Sequence, residues 1–278
     1  MKPDHKKILK RKLTTLLQED REYFREILKR KDLIIYLVIS GLKSQHKNSF
    51  LGYFWWLLDP LLGALVYYFV VVIIFKRGGG GDYGLYLIVG MIVWRWMSAT
   101  ITTASRSIVS KSGIITQVCL PKANFPIGTV LSQLINFCFA LLVIAVFLVI
   151  FKTRPGITIL WLPFIMFVQF FFLMALSLLI AFFSVFIRDV EYLLKHLTQL
   201  WFFMSPVIWT VERIPERFRW LLAINPMTHF LASYRNIIMY QSMPDFFPLV
   251  IIFALSLIFI SWMIYHYSCY EHKIIKAL

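Results

Sequence analysis

Long apolar runs divided by short polar breaks make up most of the chain. Neither the 3.6-residue stripe of a half-buried helix nor the alternation of a strand accounts for them. A helix needs about 20 mostly apolar residues to cross a bilayer. On that measure the sequence predicts spans near 52–75, 84–107, 126–151, 157–187, 193–210 and 246–268. Only the polar turn 152–156 separates the third from the fourth, and Pro206 interrupts the fifth. The fourth is long enough to tilt. The expected fold class is an all-α membrane protein with six transmembrane helices.

Two segments follow other rules. Residues 22–39 place Phe24, Ile27, Leu28, Ile34, Ile35 and Val38 on one stripe, with Arg25, Glu26, Lys29, Arg30 and Asp32 on the other side. That pattern predicts an amphipathic helix lying in the membrane interface, compatible with packing on a partner subunit. Residues 211–245 are too polar over 212–219 and too short over 220–240 to cross, and Asn225 followed by Pro226 breaks them. Short re-entrant or interfacial helices on the outer face fit this segment, because irregular backbone at membrane depth must be shielded. The predicted domains are a basic cytoplasmic arm, 1–50, and a transmembrane domain, 51–278.

Composition agrees with this pattern. Of 278 residues 59% are hydrophobic and 15% charged, where a soluble domain carries roughly 25% charged residues. The net charge of +15 concentrates at one end, with 13 of the 29 Lys and Arg before residue 51. Such an arm suits anionic membrane lipids and argues against nucleic acid as partner. Placing the N-terminus inside puts 19 Lys/Arg on inside segments and eight outside, with Arg95 and Arg106 in the second span. A multi-pass protein of the cytoplasmic (inner) membrane with both termini cytoplasmic is the consistent reading. The basic N-terminal stretch is too long for a cleavable signal peptide, so the first span is expected to stay as an anchor.

Catalytic signals are thin. Cys119, Cys138 and Cys269 form neither a disulfide framework nor a zinc spacing, and no two histidines stand at ligand spacing. The string from Gly79 to Gly84 fits G-x-G-x-x-G but links two spans instead of a strand and a helix. A phosphate loop fails too, because Leu85 and Tyr86 stand where Lys and Ser/Thr are required. Glu212 and Glu216 are neutralised by Arg213, Arg217 and Arg219. No catalytic, cofactor or metal site is expected in this chain.

Charges inside a membrane are costly and usually paired or functional. Asp59 and Arg95 lie at similar depths in antiparallel spans, as an ion pair or with Arg95 lining a polar conduit that favours an anionic substrate. Aromatic residues reach 17%, and interfacial belts explain most tryptophans. Tyr67, Tyr68, Trp201 and Phe202 lie deeper than a belt requires, either as packing or as a path on which sugars stack.

Ser49, Phe50, Leu51 and Gly52, followed by Trp55, Trp56 and Pro60, form a recognisable entry to the first span. Leu120 with Pro121, Phe125 with Pro126, Arg188 with Asp189, Ser205 with Pro206, Asn225 with Pro226, and Arg235 continue the set in order. The set resembles the polysaccharide-export permeases of ABC-2 type, which move O-antigens, capsules and teichoic acids. The resemblance implies a homodimer bound to two copies of a separate ABC ATPase subunit, with ATP and Mg held there. It implies a conduit between the two permeases and a glycan on undecaprenyl diphosphate as cargo. An ABC-2 drug or lipid exporter, or a membrane-embedded polyprenyl-linked glycosyl- or acyltransferase, are the alternatives.

Within that frame residues 108–125 are expected to form a coupling helix of several turns on the ATPase, through Lys111, Ile114, Ile115, Val118, Lys122 and Asn124. Arg25, Lys29, Arg30 and Lys31 suit the diphosphate at substrate entry, since cationic side chains pair strongly with phosphate oxygens. Tyr67, Tyr68, Arg95, Trp201 and Phe202 are expected to line the conduit. Gly63 would allow close approach of the first span, Pro206 would let the fifth bend, and 211–245 would serve as an outer lid.

Overall fold

A computed structural model describes residues 23, 25–27, 29–45, 50–74, 82–115, 117 and 120–278. The glycine-rich string up to residue 81, and Phe24, Leu28, Ser49 and Val118, lie outside the described residues. Among those described the chain is helical, with no strand. In order come α1 (Lys31–Gln45), α2 (Trp55–Tyr68), α3 (Asp82–Arg106), α4 (Ser112–Ile115) and α5 (Asn124–Ile150). Then follow α6 (Leu162–Phe186), α7 (Val190–Met204), α8 (Arg219–Ile224), α9 (Pro226–Ile238) and α10 (Phe246–Ala277). Among the described residues, four helical stretches are long and apolar enough to cross a membrane: Tyr83–Arg106, Asn124–Ile150, Ile157–Phe186 and Phe246–Ala277.

The first and fifth expected spans are built differently. A 3₁₀ turn, Gly52–Phe54, leads into α2, which carries Pro60 and runs on as a π-helix over Phe69–Ile74. The fifth stops at Met204, 15 residues from its start, because Ser205 turns extended and Pro206 follows without an amide donor. The sixth exceeds its expected length and continues as one helix to Ala277.

Helix α3 is the centre of the bundle. Leu85, Ile88, Val89, Val93 and Met97 are fully buried along it, and it touches α2, α5, α6, α7 and α9. Lipid tails are as apolar as leucine, so helices in a bilayer associate through close packing and polar contacts. Helix α10 lies along α6, and its Phe247, Val250, Leu255 and Ile258 face outward as a lipid-facing row.

The amphipathic helix differs from the expected 22–39. A turn at Arg30 precedes α1, which runs to Gln45 and lies across the start of α5. Leu33, Ile34 and Leu37 pack against the core while Ile35 is exposed, so the buried stripe is rotated from the expected one. Close approach explains the register: a Cβ on Gly128 would stand 3.0 Å from that of Leu37. Further back, Ile27 of the expected stripe is buried together with Tyr23, which the stripe did not include.

Candidate functional site

The chain leaves the helix at Ser205, so the four successive carbonyls of 206–209 lack helical donors, and side chains from elsewhere meet all four. Arg235 Nη1 donates to Pro206 O at 2.6 Å and Nη2 to Val207 O at 3.0 Å. Tyr83 Oη donates to Ile208 O at 2.7 Å and Tyr86 Oη to Trp209 O at 3.0 Å. The guanidinium also bonds Tyr86 O and lies 3.3 Å from the centre of the Tyr86 ring. Gly90 makes room for it, since a Cβ there would overlap Arg235 Nη2 and stand 3.0 Å from Val207 O. Unwound backbone at membrane depth is stable only when shielded in this way.

Arg235 was expected as an outer-face charge interrupting an apolar stretch. It is buried, because α9 folds back against α3 and α6 instead of lying on the surface. Asn225 starts that helix, its Oδ1 accepting from Met227 N at 3.1 Å and from Trp201 Nε1 at 2.8 Å. Its Nδ2 donates to Ser205 Oγ at 2.9 Å. The break after α8 and the end of α7 are thus one hydrogen-bonded joint.

Midway along the bundle Arg95 Nη2 lies 2.5 Å from Asp59 Oδ2, each side chain about half exposed. Gly63 lies against this contact, with Arg95 Nη1 3.5 Å from where its Cβ would be. Trp55, Trp56, Gln133 and Asn136 complete a cavity of about 350 Å³ around the pair. Tyr67 is exposed on α2, with its ring 6.1 Å from that of Phe202. Trp94 packs edge-on against Trp201 and Phe202.

Not all five expected conduit residues share that face. Phe202 is buried under Trp94 and Tyr67, and Tyr68 turns to Phe151, 6.1 Å between rings, against the start of α3. Adjacent positions on one helix point about 100° apart, so Tyr67 and Tyr68 cannot both line one path. Tyr67, Arg95 and the partly buried Trp201 remain.

The segment 108–125 is shorter in helix than expected. A 3₁₀ turn, Val109–Lys111, and the single turn of α4 replace several turns. Ile114 is exposed and Lys111 half-buried, but Ile115 is buried and Lys122 entirely so. Lys122 faces inward because Glu271 of the extended α10 holds its Nζ at 2.7 Å, and Asn124 is buried beside it. Ala123 N donates to Tyr23 Oη at 3.4 Å. Burial, with the charge of Glu271 adding, raises the Tyr23 hydroxyl well above the ordinary phenol range. Arm, α5 and C-terminal helix therefore meet at one knot. Arg106 pairs nearby with Glu191 in the first turn of α7. Arg25, Lys29 and Arg30 line an open depression with Glu26, and Lys31 is exposed at the start of α1.

Sequence reading passed over several of these groups. Gln133 and Asn136 are amides inside an apolar span, and residues 98–112 carry eight hydroxyls in fifteen positions. Polar groups concentrated in a spanning helix are the signal that would have found them. Among the described residues no three His, Cys, Asp or Glu gather as a metal site.

Residues 32–239 match the family described as ABC-2 type transporter. The chain is 30% identical to the O-antigen export system permease protein RfbA of Klebsiella pneumoniae over 209 residues, 75% of this chain and 80% of that protein. A second protein of that name from the same organism is 29% identical with the same coverage. The O-antigen export system permease protein RfbA of Myxococcus xanthus is 28% identical over 236 residues, 84% of this chain and 90% of that one.

Proposed function

From the premise that this chain belongs to the ABC-2 type transporter family, we propose that it is the membrane permease of an exporter whose cargo is a lipid-linked glycan. Its position is the inner membrane with both termini cytoplasmic, and a separate ABC ATPase subunit holds the ATP and Mg. Export of O-antigen by the named relatives supports the cargo class. The observation that carries the reading is the strip of Asp59, Arg95, Tyr67 and Trp201, which puts a neutralised charge pair beside aromatic faces midway along apolar helices. Sugars have apolar faces and hydroxyl edges, and such a strip meets both without binding either tightly.

A single bundle of this size is too small to enclose a pore for a sugar chain. Two copies related by a two-fold axis form one between them, the commonest symmetric arrangement of identical subunits. Helices α2 and α7 are the proposed walls: Leu62, Leu65 and Val66 on one, and Leu193, Leu197 and Leu200 on the other, are exposed. Lys111 and Ile114 are the surface offered to the ATPase, and Arg25, Lys29, Arg30 and Lys31 a basic approach for the diphosphate head.

The test is purification of the chain with its partner ABC ATPase, then hydrolysis assays with lipid-linked glycans. Stimulation by a glycan carried on polyprenyl diphosphate is expected. Stimulation by drugs or phospholipids alone, with none by any glycan, would overturn the cargo assignment.

A further inference from the structure

A second cavity adjoins the one around the ion pair. It holds about 270 Å³ between α1, α3 and α5, and its wall includes Ser44, Ser107, Ser110, Lys111 and Thr129. Thr103 and Gln133 border both cavities. The partition between them is one weak hydrogen bond, Gln133 Nε2 to Thr103 Oγ1 at 3.4 Å, continued by Asn136 Nδ2 to Gln133 Oε1 at 3.2 Å. Gln133 is 6% exposed, so its amide is held in place inside the bundle.

The two halves differ in chemistry. The inner one carries a carboxylate paired with a guanidinium, two amides and the rings of Trp55, Trp56 and Trp96. It is neutral overall, yet rich in donors and acceptors lying beside aromatic faces. The outer one is walled by hydroxyls and holds the single cation Lys111. The inner cavity lies within the roughly 300–1,000 Å³ of small-ligand sites and the outer one just below it, and together they stay within that range.

We propose that the inner cavity is a subsite within each permease that binds one neutral sugar residue of the cargo, with the adjoining phosphate toward Lys111. The inference rests on the glycan reading of the cargo. Asp59 and Arg95, already held together, offer an acceptor and a donor side by side, the arrangement that neighbouring hydroxyls of a pyranose require. Gln133 and Asn136 do the same from α5, and the indole rings cover the apolar face. A bare phosphate gains little there, because Asp59 already neutralises the guanidinium. A purely apolar ligand would strip water from four polar side chains with nothing in return. The subsite shares Asp59 and Arg95 with the strip but opens between α2, α3 and α5, away from Tyr67 and Trp201.

The full-length chain in lipid nanodiscs, titrated with methyl hexosides and methyl N-acetylhexosaminides and read by tryptophan fluorescence and saturation-transfer NMR, tests this. Saturable binding of at least one glycoside is expected, weakened about tenfold in Asn136→Ala and several-fold in the near-isosteric Thr103→Val, with unfolding midpoints unchanged. Inorganic pyrophosphate should not displace the sugar. Absence of saturable glycoside binding, equal binding by both variants, or displacement by pyrophosphate overturns the proposal. An export assay in cells separates it from the cargo reading. Glycan export by the parent protein and a slower rate in Asn136→Ala is expected. Parent and variant exporting equally removes the subsite and leaves the cargo standing, whereas a parent that exports no glycan removes the cargo reading itself.

Discussion

Arg235 contacts α3 and the unwound stretch after Pro206 through four hydrogen bonds and a ring face. Replacing it with methionine keeps the volume but leaves Val207 O without a donor and Pro206 O with only the long bond from Tyr86 Oη at 3.4 Å. An unsatisfied buried acceptor costs about 1–3 kcal/mol, so Arg235→Met is expected to lower stability by roughly 3 kcal/mol. A fall in the thermal midpoint and new protease cleavage at 205–210 would show it. Gly90→Ala presses on the same guanidinium and should move both readouts the same way. Because the two share one contact, the double variant should lose less than the sum of the singles. The pair of Asp59 and Arg95 is half exposed and should behave differently. Asp59→Asn and Arg95→Gln should each lower the yield of monodisperse protein, and the double variant should recover part of it. Independent losses in size-exclusion profiles would show that the pair does not act as a unit.

The segment 108–125 divides into a face turned out and a face turned in. Ile114→Asp is expected to leave folding intact and to reduce ATPase stimulation several-fold. Ile115→Asp, one residue on, puts a carboxylate where exposure is 2% and should cost on the order of 4 kcal/mol. Co-purification with the ATPase and the unfolding midpoint separate the two effects. At the neighbouring knot Glu271→Gln leaves Lys122 buried without its counter-charge, a change worth roughly 3–5 kcal/mol, and Lys122→Met together with Glu271→Met should restore most of it.

These elements also mark where the sequence was legible. Run lengths located the four continuous spans, because a 20-residue apolar stretch has few other uses. Proline located the end of α7 and the start of α9, since it removes a donor and fixes φ. Period alone could not orient α1, whose buried stripe depends on a helix, α5, almost ninety residues further on. The same limit hid Lys122 and Ile115, which read as a loop's basic and apolar residues, although Lys122 meets Glu271 of α10 and Ile115 is buried. Arg235 belongs to the motif set, but its burial follows from the fold-back of α9 on α3 and α6, which charge counting along the chain does not reveal.

Across the whole molecule, the exposed leucines of α2 and α7 are apolar without a partner among the described residues. If these faces form the walls between two copies, single cysteines at Leu65 and Leu200, introduced after replacing the native cysteines, should cross-link two chains in the membrane. A cysteine at Leu255, on the lipid-facing row of α10, should not. Cross-linking at position 255 alone would move the two-fold axis to the other side of the bundle.

The joint at Arg235 also sets a clock. Tyr86 and Arg235 are 149 residues apart, and ribosomes add about 5–20 residues per second. Tyr86 therefore waits roughly 7–30 s after its own synthesis before the guanidinium that binds its carbonyl exists. Pro206 precedes Arg235 by only 29 residues, so the stretch after it is unlatched for roughly 1.5–6 s of that interval, open to water and to quality-control proteases. A nascent chain stopped at residue 234 should be cut at 205–210, and one stopped at 245 should resist, so the cell can read completion of this permease from a single late-arriving arginine.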